Sequence, residues 1–345
     1  MKKSKLSMRS SLPVIFALTA AAVLASSHPA SLSASEVPAH YLGDGGVVRM
    51  PTNPAATSGW ILATIRKHEL DKKHRFRLEV LSVATTQMTA NALQSESGDV
   101  GVFQFLDIMK MRKAGNKVVG AGPFLAWGAN HVIVPKNSPA KTIGDLKGKK
   151  LGIFHRTDID WILIQALAKS QFQMNPEKDI HINEAGAALL GGLVQSGQLD
   201  ATTSYNNLTP ALVATGNVRV MYWIRDLISQ LGLPEMPFLF YGFREQYLAA
   251  HPQNAKAFLA AFREAVEILR RDDDIWRERG KELQMTPESI VMLRDELRVD
   301  LDTRFKPTFE ADVKRAFEFL LKEAGPEALG GFAAIPGDWM TRDYQ

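Results

Sequence analysis

The clearest structural pattern in the chain is the stretch His131-Val-Ile-Val-Pro-Lys-Asn-Ser-Pro-Ala-Lys-Thr-Ile-Gly-Asp-Leu-Lys-Gly-Lys-Lys-Leu-Gly-Ile-Phe154. Its apolar start, His131–Val134, predicts a buried strand, and its end, Lys150–Phe154, predicts a second one. Between them, Ile143–Leu146 predicts a short helical turn. Two buried strands joined through a turned segment indicate part of the sheet of an α/β protein.

Short strands alternate with amphipathic helices on both sides of this stretch, which favours mostly parallel sheets flanked by helices. Further strands are predicted at Val47–Met50, Phe76–Val83, Val100–Phe103, Lys117–Ala121, Ile180–Asn183, Asp200–Ser204 and Val218–Ile224. From about Phe238 onward the pattern is helical, with core positions at helical spacing in 258–269 and 313–321. A helix end, a glycine and a strand recur at Ser97–Val100 and Ser196–Ala201, which indicates two similar lobes.

The first 34 residues are expected to be a signal peptide and an N-terminal linker. Four basic residues precede the apolar run Leu12–Ala25, which is too short to span a bilayer comfortably, so a membrane anchor is the weaker interpretation. Cleavage is expected after Ala25 or Ala34, with a periplasmic product. The whole chain carries 41 Lys+Arg against 37 Asp+Glu, and loss of the signal's four basic residues leaves 37 of each. That balance gives no support to a nucleic-acid partner.

The motifs that usually mark catalysis or metal binding do not occur. The sequence has no cysteine, no phosphate-binding glycine loop and no nucleophile elbow, and its eight histidines are scattered. The acidic run Asp272–Asp274 lacks the glycine and closing Glu of a calcium loop, and it predicts a solvated helix terminus. We therefore expect no catalytic residue, no metal and no cofactor.

Polar or aromatic residues follow five of the predicted strands. In open α/β sheets, ligands bind at the carboxyl ends of strands, where helix N-termini present free N–H groups. The residues concerned are Thr52 and Asn53, Thr85 to Gln87, Gln104, His155 to Thr157, and Tyr205 to Asn207. Thr57 or Ser58, and the pair Thr157 and Asp160, are predicted helix caps. Together these positions predict a cleft that draws on both series of strands.

The opening stretch also resembles a known family. Its strand, its V-P-K-x-S-P segment and its D-L-K-G-K-K turn are similar to the start of the second lobe in periplasmic binding proteins of the nitrate, sulfonate and taurine family of ABC transporters. Ala92–Val100, Leu193–Ala201 and Tyr247–Pro252 look like further pieces of that family in its order. The resemblance covers residues from about 46 to 340.

The resemblance implies a type II periplasmic binding protein fold. One lobe would comprise residues 46–128 and 240–345, the other 129–239, with two crossovers joining them. The protein would be a monomer that traps a small ligand between its lobes and delivers it to a membrane permease. By position, the ligand contacts would be Asn53, Trp60, Thr86, Gln87, Gln104, Phe105, Arg156, Thr157, Tyr205 and Asn206.

The sequence departs from the family at the loop His155-Arg156-Thr157-Asp158, where relatives often carry a small Gly-Ser or Gly-Thr loop. Arg156 suits an anionic head group, whereas Asp158 and Asp160 near a helix N-terminus would repel a bare anion unless they act as caps. A sulfonate, taurine or nitrate-like ligand and a larger polar organic molecule or zwitterion both stay open. So do a pyrimidine-precursor binding protein, an enzyme of the thiamine-pyrimidine synthase type and a ligand-sensing module.

Overall fold

The computed structural model describes residues 37–301 and 304–345, so the predicted signal segment 1–34 lies outside the described residues. The strands in this part of the chain are β1 (Val47–Thr52), β2 (Arg77–Ser82), β3 (Val100–Gln104), β4 (Val118–Ala126), β5 (His131–Pro135), β6 (Lys150–Ile153), β7 (His181–Glu184), β8 (Ala201–Ser204), β9 (Val218–Trp223) and β10 (Pro237–Arg244). Each strand that the sequence predicted is present, with ends shifted by a few residues. Ile143–Leu146 forms the expected short 3₁₀ turn.

The helices lie mainly between the strands and after β10. They are α1 (Thr57–Lys67), α2 (Leu70–Lys73), α3 (Thr86–Gln94), α4 (Phe105–Lys113), α5 (Ile159–Phe172), α6 (Pro176–Asp179), α7 (Ala187–Gln195), α8 (Thr209–Ala214), α9 (Ile224–Gln230), α10 (Glu245–Ala250), α11 (Pro252–Arg271), α12 (Asp273–Glu282), α13 (Pro287–Asp300) and α14 (Phe309–Ala328). Within the described residues, no helix combines the length and apolarity needed to cross a membrane.

The strands form two groups that define two lobes. In the first lobe, β1 pairs with β2 in parallel, and β10 lies antiparallel between β3 and β4. In the second lobe, one sheet has the order β7-β6-β8-β5-β9, in which β5 runs antiparallel to both of its neighbours. Each lobe thus has one strand that runs antiparallel to both strands it pairs with, and helices cover the sheets. This is the two-lobed α/β fold that the sequence predicted.

One strand was missed by the sequence prediction, which expected helix from about Phe238. Residues Pro237–Arg244 instead form β10, the central strand between β3 and β4. Its side chains are almost all buried, including Phe240, Tyr241 and Phe243. A strand covered on both faces has no alternation of polar and apolar residues, so periodicity alone does not distinguish it from a buried helix.

The chain crosses between the lobes twice, and the two crossings contact each other. The backbone N–H of Trp127 donates to the carbonyl of Met236 at 2.9 Å, and the ring of Trp127 stacks on Phe238 with centroids 6.0 Å apart. Gly128 has φ of +97°, and a Cβ there would lie 2.7 Å from the backbone of Arg225. A side chain is therefore excluded at Gly128 both by the backbone conformation and by space.

The C-terminal helices complete the first lobe and also reach the second. Phe258, Phe262 and Leu269 of α11 are fully buried, as the helical spacing predicted. Phe309 and Phe317 of α14 belong to a core that also contains residues of α5 in the second lobe. Between α13 and the second lobe, Ser289 Oγ donates to the carbonyl of Pro210 at 3.2 Å, and Arg225 Nη2 lies 2.9 Å from Asp300 Oδ2. The lobes are therefore connected by packed helices as well as by the two crossings.

Candidate functional site

The carboxyl ends of the parallel strands in each lobe carry the polar residues that the sequence singled out. In the second lobe, His131 at the start of β5 pairs in register with Ser204 at the end of β8. Because β5 runs against its neighbours, the residue that precedes it, Asn130, lies at the same edge as the residues that follow β6 and β8. This edge of the second lobe is the one that faces α1 of the first lobe.

The lobes meet at Thr57 and Asn206. Thr57 Oγ1, at the first residue of α1, donates to Asn206 Oδ1 in the loop after β8, with 3.4 Å between the oxygens. Asn206 is 5% exposed. Its other amide atom, Nδ2, has no hydrogen-bond partner among residues 37–301 and 304–345. The sequence assigned Asn206 to the cleft, but it treated Thr57 as a helix cap, and α1 has no side-chain cap at all.

Asn130 connects this contact to a buried carboxylate. Its Oδ1 accepts the backbone N–H of Asn206 at 3.2 Å, and its Nδ2 donates to Asp160 Oδ2 at 2.8 Å. Asp160 is 6% exposed. A hydrogen-bonded chain therefore runs from Thr57 in the first lobe through Asn206 and Asn130 to Asp160 in the second lobe.

Asp158 and Asp160 lie at the N-terminus of α5. Asp158 is the N-cap, and its Oδ1 accepts the backbone N–H of Asp160 at 2.8 Å, so the predicted capping pair of Thr157 and Asp160 is wrong. Burial, together with the charge of Asp158, raises the pKa of Asp160 to about 8, although the hydrogen bond from Asn130 opposes the shift. Burial is also the main cause that raises the pKa of Asp158, with a smaller contribution from Asp107.

Asp107 brings a third carboxylate to the cleft, from the first lobe. It lies in the first turn of α4, three residues after Gln104, and is half-buried. Burial raises the pKa of Asp107, while Lys110 opposes the shift. Its charge contributes to the raised pKa of Asp158 in the second lobe, so the two carboxylates interact electrostatically across the lobes. Gln104, a predicted contact, is half-buried at the N-cap of α4.

Tyr205 provides an aromatic surface beside these carboxylates. Its ring stacks on Phe154 with centroids 4.0 Å apart and an interplanar angle of 18°, and the residue is 40% exposed. Burial, together with the charges of Asp158, Asp160 and Asp107, raises the pKa of the Tyr205 hydroxyl. The tyrosine is therefore close to all three carboxylates.

Arg156, the expected anion-binding residue, is engaged elsewhere. Its Nε donates to Glu177 Oε2 at 3.3 Å, its backbone N–H donates to Glu184 Oε2 at 3.0 Å, and its Nη1 lies 3.6 Å from the same oxygen. His155 Nδ1 lies 3.5 Å from Glu184 Oε1. Two glutamates therefore neutralise the positive charge that the sequence assigned to ligand binding.

Other predicted contacts are exposed at the strand ends. Asn53 Oδ1 accepts the backbone N–H of Ala55 at 2.9 Å, which is a local turn, and Gln87 Nε2 donates to Asn91 at 2.9 Å. Thr86 is the first residue of α3, and Thr157 precedes the cap of α5. All four side chains are exposed and lie where the sequence placed them, after β1, β2 and β6.

Trp60 and Phe105, by contrast, are core residues, which corrects the expectation that they contact ligand. Trp60 is 1% exposed and stacks on Trp276 with centroids 4.8 Å apart. Phe105 is fully buried against Phe238 and Trp339. Both follow a strand end by position, but their rings turn inward because burying a large aromatic surface stabilises the fold.

Two features lie apart from the cleft. A surface cavity of about 500 Å³ near the amino ends of β1 and β3 is lined by Arg49, Asp99, Arg244, Tyr247 and His251, among others. Its two arginines both bind Asp99, with distances of 2.8 and 2.9 Å. Among the described residues, no group of three or more His, Asp or Glu side chains has an arrangement that would hold a metal ion.

Comparison with known proteins identifies both a sequence family and a fold. The family described as NMT1/THI5 like matches residues 76–274, more than half of the chain. A comparison with curated protein sequences gave no match.

Solved structures match over most of their length. The alkanesulfonate-binding protein SsuA from Xanthomonas axonopodis pv. citri, bound to MOPS, has 19% identity and a TM-score of 0.65, with 86% of this chain and 98% of that one covered. The periplasmic aliphatic sulphonate binding protein SsuA from Escherichia coli has 20% identity and a TM-score of 0.66, with 86% and 94% covered. The zinc-bound ligand-binding component of an ABC-type import system from Staphylococcus aureus has 15% identity and a TM-score of 0.64, with 87% and 97% covered. These likenesses establish the fold.

Proposed function

The chain belongs to the NMT1/THI5-like family, and from that premise we propose that it is the solute-binding component of an ABC importer. It captures one small polar molecule between its two lobes and presents the closed form to a membrane permease. The structural neighbours support this role, because they include two sulfonate-binding proteins, one of them described as periplasmic, and a ligand-binding component of an import system. Two neighbours described as periplasmic binding proteins support a periplasmic location and a role without catalysis. Export through the N-terminal segment rests on the basic and apolar pattern of the first 34 residues.

The contact between Thr57 and Asn206 is the observation that carries the proposal. It joins the N-terminus of the first helix in one lobe to a strand-end loop in the other, in the position where such folds enclose a ligand. The unpartnered amide atom of Asn206 and the half-exposed ring of Tyr205 lie in the same place. Polar atoms from both lobes are therefore available to one ligand.

Ligand capture depends on contacts between the ligand and both lobes, which form only when the lobes are closed. A ligand that touches both lobes favours the closed state by the difference between its affinities for the closed and open states. The two crossings at Trp127 and Met236 are the short segments about which the lobes turn. The permease then distinguishes loaded from empty protein by shape.

Native mass spectrometry of the purified protein tests the proposal. We expect one small molecule per chain, which is lost on unfolding in denaturant and rebinds after refolding. A ligand at about 100 times its dissociation constant adds roughly 2.7 kcal/mol to stability, so its return also raises the melting temperature. A protein that carries no small molecule and whose melting temperature rises with no compound in a broad metabolite set would overturn the solute-binding role.

A further inference from the structure

The cleft contains three carboxylates that the binding role leaves unexplained. Asp160 and Asp158 belong to the second lobe and Asp107 to the first, and Asp160 is 6% exposed. Helix capping accounts for Asp158, which accepts a backbone N–H at 2.8 Å. Asp160 is bound by Asn130 at 2.8 Å, and this single amide donor leaves most of the carboxylate's acceptor capacity free for another group.

A second feature of the cleft, independent of these carboxylates, also indicates a missing ligand. The amide of Asn206 extends from the second lobe toward Thr57, is 5% exposed, and keeps Nδ2 without a partner in the described part of the chain. Buried polar side chains in folded proteins nearly always have partners. Because the hydroxyl of Thr57 accepts as readily as it donates, the amide can also turn and offer its oxygen to an N–H group.

The basic side chains around the cleft already have acidic neighbours. Arg156 contacts Glu177 and Glu184, and His155 lies 3.5 Å from Glu184. Lys110 lies one turn after Asp107 on α4. An anionic ligand would therefore approach Asp107, Asp158 and Asp160 without an arginine beside them that lacks an acidic partner in the described part of the chain. A cation would instead find acceptor oxygens, and its binding would favour the ionised form of Asp160.

The ring of Tyr205 provides further information on the chemical class of the ligand. One face stacks on Phe154, and the residue is 40% exposed. Aromatic faces attract positively charged groups, and they also stack on flat ligands. The carboxylates form no group that would hold a metal ion within residues 37–301 and 304–345, which favours an organic cation large enough to reach both lobes.

We propose that the ligand is a small organic cation, a protonated amine or amidine with a flat apolar part, bound by Asp160, Asp158 and Asp107, the amide of Asn206 and the ring of Tyr205. This inference rests on the proposed binding function and names its ligand class. It replaces the sulfonate, taurine or nitrate-like ligand that the sequence resemblance implied.

Matched pairs of probes that differ in charge test this inference on the ligand-stripped protein. The pairs are benzamidine with benzoate and ethylamine with ethanesulfonate, and taurine serves as a zwitterion. We expect the cations, and benzamidine above all, to raise the melting temperature in a concentration-dependent way, while the anion of each pair does not. Stabilisation by benzoate or ethanesulfonate and not by their partners overturns the cation inference but keeps the solute-binding role.

The variant Asp160→Asn tests whether the cation binds at this carboxylate. It keeps the acceptor for Asn130 and removes the charge, so we expect benzamidine affinity to fall at least tenfold. Glu318→Gln is the matched control, because Glu318 is exposed on α14 and pairs with Lys314. Unchanged benzamidine affinity in Asp160→Asn overturns the assignment of the cation to this carboxylate.

The pH dependence of cation binding gives a second test, because binding is linked to the release of the proton on Asp160. Because its pKa is about 8, Asp160 is largely protonated at neutral pH. The titratable groups that act on it or on its neighbours are Asp158, Asp107 and Tyr205, and the basic residues nearby are His155 and Lys110. A cation that binds its carboxylate releases that proton, so benzamidine affinity should rise at least fivefold from pH 6.5 to 8.5. Titration calorimetry in two buffers with different ionisation enthalpies should detect the released proton in the wild type and not in Asp160→Asn.

If no probe binds, the charge of the molecule that the purified protein carries decides the question. A cation supports the inference, and an anion or a neutral molecule overturns it while leaving the solute-binding role intact. If the protein carries nothing and binds nothing, both the ligand class and the binding role fall.

Discussion

Thr57 and Asn206 meet across the cleft with 3.4 Å between the threonine hydroxyl and the amide oxygen, although 149 positions separate them in the sequence. Thr57 opens the first helix of one lobe, and Asn206 lies in a loop of the other. The bond is long, so it contributes little to the folded state on its own. Its importance lies in its position, because it forms only when the lobes are together.

Replacement of Thr57 by valine tests this position. Valine keeps the shape of threonine and removes the hydroxyl, so we expect the free energy of unfolding of the ligand-free protein to change by less than about 1 kcal/mol. Affinity for the co-purified ligand should fall severalfold, because closure loses one of its contacts. Urea denaturation and titration calorimetry measure the two effects. A large loss of stability with unchanged affinity would show that the contact serves folding and not closure.

The buried acid Asp160 makes a distinctive prediction for stability against pH. Its pKa is about 8 in the folded protein, well above the value of 3.8 for an unperturbed aspartate. The folded state holds this proton more tightly than the unfolded chain does. Between about pH 4 and pH 8 the aspartate is therefore ionised in the unfolded chain but still protonated in the folded protein, and the wild type becomes less stable as the pH rises.

The variant Asp160→Asn should not show this fall in stability with pH, because asparagine does not ionise. At pH 8 the variant should be more stable than the wild type by roughly 2–5 kcal/mol, since one pKa unit corresponds to ~1.4 kcal/mol, and near pH 4 the two should be similar. Urea denaturation at both pH values is the measurement. A gain in stability with a loss of ligand affinity is the usual sign of a functional residue. Equal stability of the two proteins at pH 8 would contradict the assigned burial of this acid.

The ion pair between Arg225 and Asp300 joins the lobes outside the cleft. Burial raises the pKa of Asp300 to about 6, while Arg225, 2.9 Å away, opposes the shift. Removal of Arg225 leaves the carboxylate buried without its partner, so Arg225→Ala should cost about 3 kcal/mol at pH 8. The cost should shrink near pH 4, where Asp300 is protonated in both proteins.

The double variant Arg225→Ala/Asp300→Asn is the control for this pair. It removes the charge along with its partner, so the part of the loss that depends on pH should disappear. A constant part should persist, because Arg225 also packs over Trp223 at 4.7 Å. If Arg225→Ala costs the same at pH 4 and pH 8, the pair contributes packing and not charge.

The sequence located the strand ends well and the inward-facing side chains poorly. The rule that ligands bind after parallel strands selected Tyr205 and Asn206, which do lie at the meeting of the lobes. The same rule missed Asn130, because β5 runs against its neighbours and brings its first residues to that edge. Asp107 escaped notice although it follows β3, since an acidic residue in a first helical turn is usually a solvated helix-end residue.

Side-chain direction and long-range partners are not encoded in local patterns. Arg156 appeared free in the sequence, but Glu177 and Glu184 bind it after an intervening helix and strand bring them back. Trp60 follows a strand like a ligand contact does, yet its partner Trp276 comes more than 200 residues later. Only the assembled lobes decide which of these side chains face the cleft.

Trp60 and Tyr205 should therefore behave in opposite ways. Trp60→Phe should lower the free energy of unfolding by about 2 kcal/mol through lost core packing, while affinity for the co-purified ligand stays within about twofold. Tyr205→Ala should change stability little, since the residue is 40% exposed, and should weaken the same ligand severalfold. Denaturation and calorimetry on both variants check the pattern. The reverse pattern would return Trp60 to the ligand site.

Ligand-induced closure is the central claim, and energy transfer between the lobes measures it most directly. The chain has no cysteine, so Met88→Cys on α3 and Leu189→Cys on α7 provide two exposed labelling sites, one on each lobe. The pair Lys178→Cys and Leu189→Cys lies within the second lobe and serves as the control. We predict that the co-purified ligand raises transfer efficiency in the first pair and leaves the second unchanged. Saturating ligand that leaves both pairs unchanged would contradict capture by closure of the lobes.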